Sequence, residues 1–365
     1  MYNWEYPRWP LFEFDQDTYV VQLRQYTERV DRLLGRIQGL PAKDHDAYFL
    51  ERLVEEAATT SRIEGYTLSR QDLMSSVLNN LNLGSATNQV KDLRARAIGQ
   101  QIVLNRETFT RPLTETALKY WHELLLGYDT TLKVTGDYRQ GTSPMRIVSG
   151  PEYKQVIHFI APPANRVAVE MEGFIAYCNS TYPPGIHPVL SAGIAHLYFE
   201  SIHPFEDGNG RIGRAILEKM LSQQLGTFIP FSISHSIEAR RKAYYVALNT
   251  SQTTLDITSW LNYFCEVLLE AIDYADSLVD FTLHKQTYFN EFATQLDPHH
   301  RKAIDKLFAA GPAGFQGGMS TRKYMYINRV SQATAARALR YLTSIGALTR
   351  HGSGRSTHYL LPQST

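Results

Sequence analysis

The sequence predicts a mainly α protein: a helical bundle carrying one small β-hairpin, followed by a helix-turn-helix unit that ends in a second hairpin. Three observations carry this expectation. Apolar residues recur at helical spacing through most of the chain. The spacing breaks over residues 134–167 into Gly, Pro and two short β-like runs, MRIVSG and QVIHFIAPP. The charge is also divided: from Asp297 onward ten Lys and Arg stand against two acids, net +8, while the remainder carries 27 against 34, net −7. Two parts of the chain therefore face different partners.

At 365 residues the chain can hold two or three domains with proper cores. Its 43% hydrophobic and 20% charged residues are those of an ordinary soluble protein. No apolar run approaches the ~18 residues a membrane span needs. The opening MYNWEYPRWPLFEFD lacks the basic-then-apolar pattern of a secretory signal. Cys178 and Cys265 have no metal-ligand spacing and read as reduced core residues, so the expected location is cytoplasmic.

In chain order, DTYVVQLRQYTERVDRLLGRIQGL reads as a helix with Val20, Leu23, Val30, Leu33 and Leu34 on its apolar face. DHDAYFLERLVEEAATTSRIEGYTLS follows, with Leu50, Leu53, Val54 and Ala57 inward and Gly65 as its stop. QDLMSSVLNNL, ATNQVKDLRARAIGQQIVLNR and LTETALKYWHELLLG complete a helical region, and the hairpin turns at Gly150–Pro151. HPVLSAGIAHLYFESI reads as a helix striped by Val189, Ala192, Leu197 and Ile202. It ends near His203, because Pro204 disfavours the helical region for the residue before it. After Gly-Asn-Gly at 208–210, RIGRAILEKMLSQQLG forms another helix with Ile212, Ile216, Met220 and Leu221 on one face. Residues 229–272 are expected to supply two more helices, the second capped by Asp256 or Thr258. DYADSLVDFTLHKQTYFNEFATQL leads out of the core, with a boundary near DPHH. The expected domains are 1–105, an N-terminal helical region; 106–280, the core; and 281–365, a linker helix and the helix-turn-helix unit.

The chemistry gathers in HPFEDGNGRIGR, His203 to Arg214. A histidine and an aspartate stand at the mouth of a glycine-bearing turn between two helices, and two arginines lie three apart on the second helix. Backbone N–H groups of such a turn and of a helix N-terminus point at one spot, which makes an anion site. Arg211 and Arg214 add fork-shaped positive charge to it. Singly, each piece has a plainer explanation: a GxG is a turn, a His before Pro a loop histidine, paired arginines a solvated face. Together, HxFxDGNGRxxR fixes eight identities at set spacing, and the string resembles the motif of the Fic family of protein adenylyltransferases at every fixed position.

The resemblance implies a Fic-type helical bundle with the hairpin as a flap. It also implies a reaction in which AMP moves from ATP to a Ser, Thr or Tyr hydroxyl of a target protein and pyrophosphate leaves. By position, His203 would take the hydroxyl proton, a role that suits a neutral imidazole with a reference pKa of ~6.5. Asp207 would hold Mg²⁺ between the α- and β-phosphates. Gly208, Asn209 and Gly210 would bind phosphate oxygens through backbone N–H groups, and the glycines permit close approach. Arg211 and Arg214 would neutralise the triphosphate, Arg214 being the family's γ-phosphate arginine. Phe205, inside this nucleotide-binding stretch, reads as a buried anchor for the loop rather than a chemical participant. Such a site acts by positioning and charge stabilisation.

TSRIEG, Thr60 to Gly65, resembles the family's inhibitory pattern: Ser or Thr, three residues, then Glu-Gly. Glu64, paired with Arg214, would take the place of the γ-phosphate from the N-terminal side of the same chain. The aromatic-rich opening is similar to an N-terminal extension of some Fic proteins. The resemblance further implies that Ile147–Val148 and Ile157–Ile160 of the flap align an extended target segment by strand addition, with His158 not catalytic. A hairpin that merely packs on helices would carry the same pattern. Tyr244, Tyr245, Leu248 and Asn249 form a patch after Arg240–Arg241–Lys242. Related proteins enclose adenine with this helix, which nominates Tyr245 and Asn249, although an aromatic pair at this spacing is equally a core feature.

RKAIDKLFAAG reads as a helix. The stretch from Ser320 reads as helix, turn, helix and two strands, with Ser331 as N-cap and Ala335, Leu339 and Leu342 inward. It looks like a winged helix-turn-helix domain, with SQATAARALRYL as recognition helix and Arg350–Arg355 as the wing. DNA is then a candidate partner. Winged helices also dock proteins or form dimers, and a homodimer is one state the sequence leaves open. Two functions therefore compete: an AMP-transferring enzyme restrained by Glu64 and acting on targets and itself, or a DNA-binding regulator with a nucleotide-sensing pocket. AMP removal, or use of another nucleotide, stays open within the first, and Asp207 with both arginines favours ATP.

Overall fold

The computed structural model describes residues 1–83, 89–150, 152–180, 185–312 and 314–362. In chain order its helices are α1 (Val20–Gln38), α2 (Ala42–Ile63), α3 (Arg70–Asn80), α4 (Leu93–Thr108), α5 (Glu115–Leu126), α6 (Ala164–Asn179) and α7 (Pro188–Ile202). They continue as α8 (Asn209–Leu225), α9 (Ile233–Ala239), α10 (Arg241–Ser251), α11 (Thr258–Phe292), α12 (Pro298–Phe308), α13 (Thr321–Asn328) and α14 (Gln332–Ser344). β1 (Arg146–Ser149) pairs antiparallel with β2 (Val156–Ile160), and β3 (Thr349–His351) with β4 (His358–Leu360). The fold is thus mainly helical, with one small hairpin in the first half and another near the C-terminus, as the sequence predicts. The chain divides into two compact units, Met1–Gly35 with Phe49–Ala275, and Arg36–Tyr48 with Asp276–Thr365.

The first unit is centred on α7 and α8. Every residue from Val189 to Ile202 is buried, and so is every residue from Arg211 to Ser222. The sequence placed apolar residues on one face of α8, whereas the helix is enclosed on all sides. Its polar side chains are interred with it and must find partners. Lys219 donates to the carbonyls of Thr108, Phe109 and Arg111 at 3.0, 2.8 and 2.5 Å. These are carbonyls at and beyond the end of α4, where the helix leaves them unsatisfied. Glu218 pairs with Arg52 of α2, which also donates to the Phe231 carbonyl.

Several local expectations are corrected. Val20, assigned to the apolar face of α1, is 57% exposed; it is the first helical residue and lies off the buried row of Leu23, Val30 and Leu33. α4 begins at Leu93 rather than near Ala86, because Asp92 caps it by accepting the Arg94 N–H at 2.9 Å. Residues 86–88 lie outside the described ones. Residues 229–272 hold α9, α10 and the start of α11 rather than two helices, the break falling at Arg240 (φ −111°, ψ 30°). The helix expected from Asp273 is not separate: no Gly or Pro interrupts the stretch, and α11 runs unbroken from Thr258 to Phe292. Cys178 is half-buried rather than core, Cys265 is buried, and both are free thiols.

In the second unit, α12, α13 and α14 enclose a core of Ile304, Leu307, Phe308, Tyr324, Leu339 and Leu342, joined by Tyr288 of α11. Ser331 caps α14, accepting the Thr334 N–H at 3.2 Å, and Ala335, Leu339 and Leu342 face inward as their spacing requires. Met319 and Tyr359 exchange two backbone hydrogen bonds of 2.8 Å, which ties β4 to the start of α13. Among the described residues no helix is long and apolar enough to cross a membrane.

Replacing Arg52 by Ala leaves Glu218 buried without its cation. Urea unfolding followed by circular dichroism should show a loss of roughly 3–5 kcal/mol, and an unchanged midpoint would contradict this role.

Candidate functional site

α7 stops where Pro204 follows, and His203 turns into the left-handed region at φ 51° with its N–H on the Phe199 carbonyl at 2.9 Å. That conformation is uncommon for a residue with a Cβ and needs support from its surroundings. Arg139 supplies it. Its Nε donates to the His203 carbonyl at 2.7 Å, and its Nη2 to the carbonyls of Pro162 at 2.5 Å and Ile202 at 3.3 Å.

The turn that follows is tied by its own side chains. Asn209 accepts the Phe205 N–H at 3.0 Å and donates back to the Phe205 carbonyl at 2.9 Å. Phe205 is fully buried and stacks on His122 of α5, ring centroids 4.3 Å apart. The buried ring makes Phe205 an anchor for the loop, as its place in the nucleotide-binding stretch suggests. Gly208, at φ 81°, lets the chain enter α8. The first intrahelical bond runs from the Ile212 N–H to the Gly208 carbonyl at 3.0 Å. The amides of Asn209, Gly210 and Arg211 precede that bond and are oriented for an anion.

Arg214 is only 2% exposed. Its Nε donates to Thr60 Oγ1 at 2.8 Å, and its Nη2 to the Thr60 carbonyl at 3.1 Å and to Glu64 Oε1 at 2.7 Å. Nη1 has no hydrogen-bond partner among the described residues. A Cβ built on Gly210 would lie 3.0 Å from that nitrogen and 2.4 Å from Glu64 Oε1. The structure therefore brings together the helix N-terminus, the spare donor of Arg214 and the carboxylate of Glu64 at one point. Burial raises the Glu64 pKa, but Arg214, with Arg211 and Arg241 further off, outweighs it and holds the carboxyl below its ordinary value.

Around this point the charges are graded. Burial, and then Arg139, push the His203 imidazole down to about 4. The side chain keeps 16% of its surface exposed, and the ring is neutral near pH 7. Glu200 Oε2 lies 4.0 Å from His203 Nδ1, and Oε1 is buried without a partner. Burial lifts Glu200 to about 8 against the pull of Arg214. Asp207 is 45% exposed and pairs with Arg211 Nη2 at 3.1 Å. The Arg211 guanidinium lies 5.7 Å from the centroid of Tyr66, a ring that also meets Arg94 at 5.4 Å. Sequence reasoning missed His122, Arg139, Glu200 and Tyr66. Only Tyr66, two residues past Glu64, and Glu200, three before His203, carried a positional hint.

Tyr244 and Tyr245 separate. Tyr244 is buried with its hydroxyl on His196 at 2.9 Å, whereas Tyr245 is 39% exposed, with the Glu64 and Arg214 charges within electrostatic reach. Asn249 is half-buried one turn further on. On the hairpin, Val148 and Ile157 are 37% and 45% exposed. His158 is engaged by Ser149 Oγ at 2.5 Å, and Trp4 Nε1 donates to the Ile160 carbonyl at 2.7 Å. Pro151 lies outside the described residues. Among the described residues no three His, Cys, Asp or Glu gather to hold a metal ion. A single hard carboxylate such as Asp207 is what Mg²⁺ uses when substrate phosphates and water complete its shell.

Residues 112–221 match the Fic/DOC family, and residues 2–83 match a domain of unknown function, DUF4172. Protein adenylyltransferase Fic of Drosophila virilis is 26% identical over 244 residues, covering 63% of this chain and 48% of that protein. The chain thus spans about half the length of the curated relatives it matches. A Fic family protein of Desulfovibrio desulfuricans shares the fold at a TM-score of 0.57 and 20% identity, over 98% of this chain and 99% of that one. A Fic domain-containing signaling protein of Bacteroides thetaiotaomicron aligns at 0.54 and 21% identity, over 71% and 97%.

The His203 environment has a measurable consequence. Its folded pKa lies below the ordinary ~6.5, so the unfolded chain takes up the proton first. The stability this neutral ring contributes is full above ~6.5 and declines as pH falls toward 4. Titration by ¹H–¹⁵N NMR should find His203 neutral at pH 6, and a midpoint near 6.5 would contradict its buried setting.

Proposed function

We propose that this chain, whose residues 112–221 match the Fic/DOC family and which is similar to protein adenylyltransferase Fic, transfers AMP from ATP to protein hydroxyls, restrained by Glu64. The observation that carries this is the unpartnered Arg214 Nη1 beside Gly210 at the start of α8, with a neutral His203 on the same motif. In the reaction, His203 accepts the proton of a Ser, Thr or Tyr hydroxyl. The hydroxyl oxygen bonds to the α-phosphorus of ATP, the bond to the bridging oxygen breaks, and pyrophosphate departs with its charge met by Arg211 and Arg214.

Gly208, Asn209 and Gly210 contribute backbone amides to the phosphates. Asp207, once released from Arg211, would hold Mg²⁺, which would supply charge neutralisation to the phosphates. Tyr245 and Asn249 contact the adenine, and the exposed β1–β2 edge receives an extended target segment. Glu64 holds Arg214 in the place of the γ-phosphate until α2 or its terminal turn yields. The two free thiols fit a reducing, cytoplasmic setting. The second function, a DNA-binding regulator with a nucleotide sensor, draws on the net +8 charge from Asp297 onward.

Purified protein incubated with α-labelled ATP and Mg²⁺ should label itself or a partner, and His203→Ala should remove the label without unfolding the chain. Glu64→Gly should raise transfer about tenfold or more, since regulatory couplings run to about 1–3 kcal/mol. Glu64→Gly protein that binds ATP yet labels nothing would transfer support to the sensor function.

A further inference from the structure

The second unit carries a groove of about 1120 Å³ lined from α12, α13 and the loop between them. None of its lining residues comes from α14 or from β3 and β4, the elements the sequence nominates for DNA. Its floor is apolar: Phe315 from the loop, Met325 and Ile327 from α13, and Val330 just beyond. Its cations are Lys302 and Lys306, one turn apart on α12, and Arg322 and Arg329 toward the two ends of α13. Lys323 is part of the wall rather than a free charge. It donates to the carbonyls of Gln316 and Gly318 at 2.6 and 2.8 Å and lies 4.6 Å from the Phe315 ring. No Asp or Glu lines the groove, and the nearby Asp305 is paired with Arg301 at 3.1 Å.

We propose that this groove docks an acidic, amphipathic segment of a partner protein, its carboxylates on the four-cation rim and its apolar side chains on the floor. Charge complementarity selects an anion, and the floor selects among anions. A nucleic-acid duplex offers phosphates but no apolar side chains to fill a concave floor, and readers of duplex DNA present a convex helix to the major groove. A short helix with one acidic and one apolar face satisfies both walls at once. α13, at eight residues, is ~12 Å long, enough to accommodate about two turns of such a helix. The surface is independent of the adenylylation site and assigns the C-terminal unit a protein partner in addition to, or in place of, DNA.

The test uses the full chain. Random peptides of about 12 residues displayed on phage and selected against it should converge on acids along one face and Leu, Met or Phe along the other. A fluorescein-labelled synthetic copy of the selected peptide should lose about tenfold or more in affinity for Lys302→Glu/Lys306→Glu, each reversal removing an attraction and adding a repulsion. Both lysines are exposed, so circular dichroism should report an unchanged fold. Selection without an acidic–apolar pattern, or binding indifferent to the double reversal, overturns the proposal. So does a DNA duplex of about 20 base pairs that binds the parent and loses affinity on the same variant while the peptide does not.

Discussion

A guanidinium buried at the start of α8 governs this structure. Arg214 sits on a helix enclosed on every side, and a cation in such a place needs compensation, from carbonyls as at Lys219 or from an anion as Glu64 supplies here. The helix N-terminus adds to the same demand for negative charge. A negative group is therefore favoured in the space over Gly210. Glu64 occupies it here, and in the proposed function a phosphate competes with it, because a phosphate can meet Nη1 and the turn amides together. The physics by which the pocket would bind a phosphate, as proposed, would equally leave it open to inhibition by a carboxylate.

Competition of this kind works only if the carboxylate is delivered from a fixed element. α2 is fixed from Arg52 to Arg62: Arg52 on Glu218 and the Phe231 carbonyl, Glu56 on Ser232 and Ser234, Arg62 on Glu238. Glu64 follows directly after its last helical residue, and Tyr66 then lies over Arg211. The segment therefore touches both arginines of the motif, one by charge and one through a ring face. His203 is held out of helical geometry by Arg139, which needs the backbone carbonyls that the turn exposes. Anion site and imidazole are thus built from one interrupted pair of helices, and neither can shift without the other.

What the sequence revealed of this site followed from spacing along one strand of text. The residues from His203 to Arg214, and the glutamate of TSRIEG, could be read because a loop between two helices keeps chemistry-bearing residues close in sequence. Arg139 and His122 could not, because each reaches the turn from another part of the chain and carries no pattern of its own. Glu200 looked like an interior residue of an apolar helix, and only burial on all sides of α7 turns its charge into an outlier. Periodicity located most helices but misjudged enclosure: α8 has one apolar stripe in sequence and no exposed face over most of its length. It also divided α11, whose residues contain no stop signal, and merged α9 with α10, where the break is a backbone turn at Arg240 rather than a Gly or Pro.

Calorimetric binding of a non-hydrolysable ATP analogue with Mg²⁺ tests the central competition most directly, using Glu64→Gly with and without Arg214→Met. If phosphate and Glu64 share one guanidinium, the single variant binds the analogue more tightly than the parent. The added Arg214 change then costs about tenfold or more, as loss of a charge-assisted contact to phosphate should. Equal affinity in parent and Glu64→Gly, or indifference to Arg214, would mean that the anion site lies elsewhere.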